Sequence, residues 1–206
     1  MKWQEFFKDK RLRIEFLITI ILLGVTLFTL ARFLDYVELR QGVVLPDPLL
    51  RLFQPVNLTW LTFGLIYLSL ILALFLLAKN PIRLMFAIQV YILFIIVRIL
   101  AMFLVPLNPP QYMIRLNDPF VQFFGTGKLL TKDLFFSGHT ATLFILFLVT
   151  QNKYFKYFFL AATVIVGISV LIQHVHYSID VFAAPFFTYV CYRIALSYNL
   201  KMHRIF

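Results

Sequence analysis

The sequence predicts an all-α membrane protein, a bundle of six transmembrane helices. Of its 206 residues, 62% are hydrophobic and only 14% are charged, whereas soluble domains have about 45–50% apolar and roughly 25% charged residues. The apolar runs are about 17–25 residues long, the length that a helix needs to cross roughly 30 Å of hydrocarbon. These runs are apolar all round rather than alternating, which favours helices over barrel strands. Composition therefore excludes an ordinary soluble protein and a disordered chain.

Six apolar runs define the predicted spans. They cover residues 13–34, 56–78, 82–104, 137–150, 154–172 and 176–197. The fourth is the shortest, because its start carries polar residues. The predicted organisation is an interfacial segment at 1–12, a six-helix catalytic transmembrane domain at 13–198 and a cytoplasmic tail at 199–206. The first run is too long for the core of a signal peptide, so we expect it to be retained.

The basic residues predict how the bundle is oriented. With six spans, most of the 19 Lys and Arg residues fall on the side of the two termini, in short clusters between apolar runs. The positive-inside rule therefore predicts that both termini are cytoplasmic. Although the formal net charge is +10, this clustering argues against nucleic acid as a partner. Trp3, Phe6 and Phe7, mixed with lysines, predict a short helix on the cytoplasmic membrane surface.

The unusual polar residues collect on the opposite, non-cytoplasmic face. His176 and Asp180 are four residues apart, so on a helix the carboxylate can bind one ring nitrogen of the histidine. That contact fixes the tautomer and turns the other nitrogen outward as a nucleophile or base. The alternative is a pair that only caps and anchors the helix.

A second polar cluster opens the fourth span. Free backbone N–H groups at a helix start favour a bound phosphate, and Gly138 allows close backbone approach. Ser137 can donate a hydroxyl group, and His139 can protonate a leaving oxygen. The alternative is an ordinary serine cap followed by an interfacial histidine.

Cations complete the set of candidate residues. Arg98 lies near the outer end of the third run, where its guanidinium could either bind phosphate or extend to the lipid headgroups. Lys128 and Lys132 are loop residues and weaker candidates. Two histidines, an aspartate, a phosphate-binding helix start and an arginine on one face are the groups that phosphoryl transfer through a phosphohistidine requires. His174 and His176 would diverge on a helix, so we expect no metal site, and the predicted chemistry needs no other cofactor.

Four motifs resemble the sphingomyelin synthase group within the type 2 lipid phosphate phosphatase superfamily. The motifs are Leu45-Pro46-Asp47, Arg98 with the prolines at 106, 109 and 110, Asp-x-x-x-Ser-Gly-His-Thr at 133–140, and His-x-His-Tyr-Ser-x-Asp-Val at 174–181. The resemblance spans roughly residues 20–200, and the last two motifs are the specific ones. The chain departs from the group at Thr131-Lys132, where Cys-Gly is frequent. The arginine that phosphatases carry before the nucleophilic histidine is absent from residues 168–170.

The resemblance implies six helices and a catalytic set of His139, His176 and Asp180. In such a mechanism His176 attacks the phosphorus of a phospholipid headgroup and Asp180 orients it. His139 protonates the leaving diacylglycerol and then activates the hydroxyl of a ceramide-like acceptor. Asp133 would support His139, and Arg98, Ser137 and Gly138 would bind phosphate. We add Asp47, His174, Tyr177 and Lys132 as residues that position the lipid.

Two alternatives remain open. Water could replace the lipid alcohol as acceptor, which would make the protein a lipid phosphatase or a phospholipase C-like hydrolase. A transporter using His176 and Asp180 as a proton relay is disfavoured, because we find no internal repeat. The expected partners are a membrane phospholipid and a lipid alcohol, and an oligomer is left open. We expect a bacterial inner membrane or a eukaryotic secretory membrane, with the active site facing the periplasm or the lumen.

Overall fold

A computed structural model describes residues 2–116 and 130–203 of the chain. This part of the chain is 74% helical and contains no strand. Its helices are α1 (Trp3–Lys8), α2 (Lys10–Leu39), α3 (Thr59–Leu77), α4 (Pro81–Leu104), α5 (Gly138–Val149), α6 (Lys153–Ile172) and α7 (Ser178–His203). A 3₁₀ turn at Leu50–Leu52 lies between α2 and α3. The predicted all-α class is therefore confirmed.

Side-chain caps explain where several helices begin. The Asp9 carboxylate accepts hydrogen bonds from the backbone N–H groups of Arg11 and Leu12 at the start of α2. Asn80 caps α4, which begins with a proline at a position where the missing N–H costs nothing. Asn152 caps α6 in the same way. Each cap satisfies N–H groups that the first turn leaves without an intrahelical partner.

Five helices are long and apolar enough to cross a membrane: α2, α3, α4, α6 and α7. The fourth predicted span is α5, which has only 12 residues and a length of about 18 Å. The described residues thus support five of the six predicted spans by length and composition, and the sixth crossing stays a prediction. Only 11% of the apolar window of α2 is buried within the protein, as expected for a helix that faces lipid.

The short helix α5 lies at the centre of the bundle. It packs against α4, α6 and α7, while α2 packs on α4 and α3 packs on α6. α6 and α7 approach closely at Gly167, where an added Cβ would lie 3.1 Å from Val181 Cγ1 and 3.6 Å from Thr140 Cγ2. A side chain at Gly167 would therefore push these helices apart at the level of the first turn of α5.

The depth of α5 follows from its length. α5 and α6 are joined by a connection of three residues, 150–152, so their ends at this connection lie at a similar level. α6 has 20 residues and α5 has 12, and the start of α5 therefore lies about 12 Å below the far end of α6. Polar groups in the first turn of α5 are sunk into the bundle.

The loops beyond α2, α4 and α6 form a layer over this recess. Val43 and Leu107 pair as an isolated bridge, and the side-chain amide of Asn108 donates to the Gly42 carbonyl over 2.7 Å. The backbone N–H of Val56 donates to the carbonyl of Ile172. The sequence predicts a span from residue 56, but α3 begins at Thr59. The residues around Val56 are instead extended and bound to the end of α6.

The N-terminal segment forms the predicted short helix, α1. The Trp3 indole N–H donates to the carbonyl of Ala78, just after α3, over 2.7 Å. The Phe6 side chain is fully buried and packs with Leu12 and Met85. These contacts hold α1 against the end of the bundle that is remote from the loop layer.

Candidate active site

His176 and Asp180 form the predicted contact. The Nδ1 atom of His176 lies 3.3 Å from Oδ2 of Asp180, and the side chains are 1% and 0% exposed. His176 precedes α7 rather than lying within it, because the helix begins at Ser178. The contact forms because Asp180 Oδ2 also accepts the backbone N–H of Tyr177 over 3.2 Å. With Nδ1–H donating to the carboxylate, Nε2 of His176 is the basic nitrogen.

The first turn of α5 brings His139 to this pair. The ring centroids of His139 and His176 are 6.1 Å apart with an interplanar angle of 64°. The backbone N–H of Ser137 donates to the carbonyl of Asp180 over 3.1 Å, which joins the start of α5 to the start of α7. The Ser137 hydroxyl accepts the backbone N–H of Thr140 over 3.4 Å. Ser137 therefore acts as the helix cap and as the link between the two helices.

Arg98 reaches the same helix start from α4. Its Nε atom donates to the Phe136 carbonyl over 3.0 Å, and its side chain is buried. An added Cβ on Gly138 would lie 3.0 Å from Cζ and 3.2 Å from Nε of this guanidinium. Glycine is thus the residue that lets the cation lie flat on the first turn of α5.

Asp133 pairs with the arginine of the site, since its Oδ1 atom lies 2.5 Å from Nη2 of Arg98. Its expected support of His139 stays a prediction. The structure therefore gives Asp133 the role of orienting the arginine, because a fixed carboxylate beside a guanidinium holds its plane. The pair joins residues that are 35 positions apart, which sequence spacing does not reveal.

Asp47 and Tyr177 support the start of α7 from the loop layer. Asp47 Oδ2 accepts the backbone N–H of Ser178 over 2.6 Å, and its Oδ1 accepts from Leu49 and Leu50. Burial raises the pKa of Asp47, but the hydrogen bonds from Ser178, Leu50 and Leu49 outweigh it and leave the pKa below its usual value. Asp47 thus positions the backbone two residues after His176, and its role toward lipid stays a prediction.

Tyr177 is almost completely buried and ties two loops together. Its hydroxyl donates to the Asn108 carbonyl over 2.8 Å and accepts the backbone N–H of Leu45 over 3.2 Å. Burial is the main cause that raises the pKa of Tyr177, so the hydroxyl stays protonated and keeps donating.

His174 faces away from the catalytic set. It has a left-handed backbone conformation with φ of 54°, which helps the chain turn back after α6. Its Nδ1 atom lies 3.2 Å from the Gln111 carbonyl, and its ring packs edge-on against Phe53. His174 lines a separate polar cavity of about 500 Å³ in the loop layer with Asp47, Arg51 and Tyr177.

Lys132 is also directed away from the phosphate-binding groups. Its ammonium group donates to the Arg40 carbonyl over 2.6 Å, just after α2. Glu38, which the sequence analysis did not single out, accepts the backbone N–H groups of Thr131 and Lys132. It also accepts the Thr131 hydroxyl over 3.0 Å. An acidic residue in the last turn of an apolar helix was the signal that could have identified Glu38. Lys128 lies outside the described residues.

An apolar groove of about 530 Å³ leads from the site along the bundle. Arg98, Asp133, Gly138 and His139 form its polar end. Apolar side chains of α2, α3, α4 and α5 form its walls as far as Leu77 and Leu84, at the other end of the bundle. His176 is buried next to His139 and is not among the groove-lining residues. The groove has the form expected for an aliphatic chain whose polar head meets His139 and Arg98.

Among the described residues, no group of three or more His, Cys, Asp and Glu side chains is arranged to hold a metal ion. The polar groups that do converge are the imidazoles of His139 and His176, the carboxylate of Asp180 and the guanidinium of Arg98. Together these groups can supply a nucleophile, an acid–base group and a binding site for an anion.

Comparison with known protein families gives a match that covers part of the candidate site. A family model described as PAP2 superfamily C-terminal matches residues 132–197, a segment that contains His139, His176 and Asp180. No curated protein matches the chain. The five apolar helices and this match agree with an integral membrane protein. This segment is similar to the C-terminal part of the type 2 phosphatidic acid phosphatase superfamily, whose members are phosphatases and phosphotransferases.

Proposed function

We propose that the protein is a membrane enzyme that transfers a phosphorylated headgroup of the phosphocholine or phosphoethanolamine type from a phospholipid to a ceramide-like lipid alcohol. The observation that carries this proposal is the His139–His176–Asp180 arrangement beside Arg98, at the polar end of an apolar groove. Lipid phosphoryl transfer or hydrolysis is the chemistry that the superfamily match supports. The sphingolipid acceptor rests on the motif resemblance.

The proposed reaction has two steps on one phosphorus atom. Nε2 of His176 attacks the phosphorus and the bond to the diacylglycerol oxygen breaks, while His139 gives that oxygen a proton. His139 then takes the proton of the acceptor hydroxyl, whose oxygen attacks the phosphorus as the bond to His176 breaks. Asp180 stabilises the positive charge on His176 in both steps, in the way a carboxylate stabilises a catalytic imidazolium.

Arg98 and the start of α5 bind the phosphate oxygens in this mechanism. The guanidinium and the free N–H groups of the first turn attract negative charge, and Gly138 lets both act on the same group. Asp133 keeps the guanidinium in position. The imidazole centroids, 6.1 Å apart, are close enough for both rings to contact one phosphate.

We further propose that α5 completes a sixth crossing and that both termini are cytoplasmic. The catalytic set then faces the periplasm of a bacterium or the lumen of a secretory organelle. The clusters of Lys and Arg near the termini support this orientation. Because the site is sunk below the end of α6, substrate would enter it from the lipid phase through the groove.

The direct test is turnover by the purified protein in proteoliposomes. Labelled phosphatidylcholine or phosphatidylethanolamine is supplied with ceramide, and lipid products are measured by mass spectrometry. We expect His176→Ala to abolish transfer, because the variant lacks the nitrogen that forms the proposed covalent intermediate. His203→Ala, at the far end of α7, is the matched control and should keep full activity. Undiminished turnover by His176→Ala would exclude the mechanism.

A hydrolase is the second candidate, because the PAP2 match fits a phosphatase as well as a phosphotransferase. The same groups would act, with water taking the place of the lipid alcohol. The same assay without ceramide separates the two functions. Headgroup release at an equal rate with and without a lipid alcohol would identify water as the acceptor.

A further inference from the structure

A second polar cluster lies at the end of the bundle opposite the candidate active site. Glu15 is near the start of α2, Gln89 is in the first half of α4 and Asn199 is near the end of α7. Gln89 lies about 14 Å along α4 from Arg98. The cluster belongs neither to the catalytic set nor to the groove that serves it. Ionisable and amide side chains at such a depth in an apolar bundle are costly and indicate a function.

Hydrogen bonds fix the orientation of every amide in this cluster. Gln89 Nε2 donates to the Glu15 carboxylate over 3.1 Å, because a carboxylate can only accept when ionised. Gln89 Oε1 must then accept, and it accepts from Asn199 Nδ2 over 2.9 Å. Asn199 Nδ2 also donates to the Ala195 carbonyl over 2.8 Å, which uses both of its N–H groups.

The remaining atom, Asn199 Oδ1, is a buried acceptor with no hydrogen-bond partner among the described residues. The Asn199 side chain is 0% exposed. A buried amide oxygen without a partner costs roughly 1–3 kcal/mol, so a donor placed at this oxygen stabilises the site. A group that completes it must bring an O–H or N–H, and a phosphodiester, which offers only acceptors, cannot.

Asn199 and Glu15 line a groove of about 390 Å³ between α2, α4 and α7. Apart from these residues, Thr19 and Gln89, its walls are apolar or aromatic: Ile18, Leu22, Ile92, Leu93, Ile96, Ile194, Ala195 and Tyr198. Ile18, Ile96 and Ile194 are about half exposed, and they lie on apolar helices long enough to cross a membrane. An occupant therefore enters from the lipid phase and has an aliphatic chain.

We infer that this α2–α4–α7 groove is a second lipid-binding site, which takes a long-chain lipid alcohol. The hydroxyl group donates to Asn199 Oδ1, and the aliphatic chain lies against the isoleucine and leucine walls. This site is separate from the proposed catalytic reaction and does not depend on it. A lipid that has no hydroxyl or N–H in its head binds there less well.

Photolabelling of the full chain in nanodiscs tests this inference without any measure of turnover. The probes are a photoactivatable diacylglycerol with a free hydroxyl group and its O-methyl ether, which has no donor. We expect the alcohol to label α2, α4 and α7 at the groove about five to ten times more strongly than the ether, the equivalent of one hydrogen bond. Equal labelling of the groove by the two probes would overturn the inference.

Variants show whether Asn199 is responsible. Asn199→Leu should reduce labelling by the alcohol to the level of the ether. Thr188→Val is the matched control, because it removes an equally buried hydroxyl of α7 outside the groove, and it should keep the preference. If Asn199→Leu does not fold, Leu22→Trp narrows the groove from the lipid-facing side and should reduce labelling by both probes. Preserved labelling in the folded variant, or cross-links from the groove to a second copy of the chain, would contradict a lipid site.

Discussion

The absence of a side chain at Gly138 allows the Arg98 guanidinium to contact the first turn of α5. Gly138 leaves room for the Arg98 guanidinium, which a Cβ would approach to 3.0 Å. The Arg98 guanidinium cannot move away from such a Cβ easily, because its Nε and Nη2 atoms are hydrogen-bonded to the Phe136 carbonyl and to Asp133. Substitution at this position therefore changes the geometry of the phosphate site rather than the stability of the helix.

We predict that Gly138→Ala lowers headgroup transfer by about 10²-fold, because displacement of a positioning cation by about 1 Å costs that much. Gly24→Ala is the control, since an added Cβ there meets nothing within 4 Å. It should keep full activity and gain stability, because alanine favours the helix. Initial rates and melting temperatures of the two variants measure the difference. Full activity of Gly138→Ala would show that Arg98 does not bind the phosphate.

Asp47 makes stability depend on pH. The pKa of Asp47 is lower in the folded protein than its usual value of 3.8, so the folded state favours the charged form. Its stabilisation is fully present above about pH 3.8 and is lost as the pH falls through the folded pKa. Asp47→Asn should therefore cost about 1–2 kcal/mol at pH 6. The difference from the unsubstituted protein should shrink below pH 4. Thermal unfolding at pH 6 and pH 3 measures this, and a constant difference would refute the charge effect.

At the level of elements, sequence spacing predicted contacts better than helix boundaries. The interval between His176 and Asp180 indicated a contact within a helix, and the contact exists although His176 precedes α7. The reason is that Asp180 also accepts the Tyr177 N–H, which turns the preceding residues back over the helix. This turn depends on Asp47 capping Ser178 from a loop 131 positions away, and no local pattern could reveal it.

The Glu38 carboxylate and the Arg40 carbonyl attach the end of α2 to Thr131 and Lys132, the residues before Asp133. Glu38 accepts three donors from Thr131 and Lys132, and the next residue, Asp133, binds Arg98. The helix that forms one wall of the groove is thereby coupled to Arg98, the cation that we propose binds phosphate. In the proposed mechanism Glu38 is a positioning residue that acts through Asp133 and Arg98.

We predict that Glu38→Leu reduces kcat by about tenfold and that Glu38→Gln recovers part of this loss. Glutamine keeps one accepting oxygen for the backbone N–H groups, whereas leucine keeps none. Glu5→Leu, which removes an acidic cap of α1 at the other end of the bundle, should leave kcat unchanged. Rates at saturating lipid and melting temperatures separate positioning from stability. Equal kcat in Glu38→Leu and Glu38→Gln would contradict the coupling.

At the scale of the whole molecule, composition predicted the membrane class, and the motifs predicted that polar groups collect at one end. Neither composition nor motif spacing could predict which of those polar groups contact each other. Arg98 and Asp133 pair across 35 positions, and Lys132 turns to the Arg40 carbonyl instead of the phosphate site. Such choices depend on how α2, α4 and α5 pack, and helix packing is decided by side-chain shape rather than by sequence spacing.

The groove extends from His139 along α3 between Phe63 and Leu77. A lipid chain in this groove should contribute to binding, whereas a short water-soluble phosphodiester should not need it. We predict that Ala87→Phe, which narrows the groove at α4, reduces turnover of long-chain phospholipid by about tenfold or more and leaves that of a short-chain analogue nearly unchanged. Ala161→Phe, on an exposed position of α6, is the matched control and should affect neither substrate. Equal losses for the long-chain and short-chain substrates in Ala87→Phe would mean that the substitution distorts the catalytic set, and that the groove does not select for chain length.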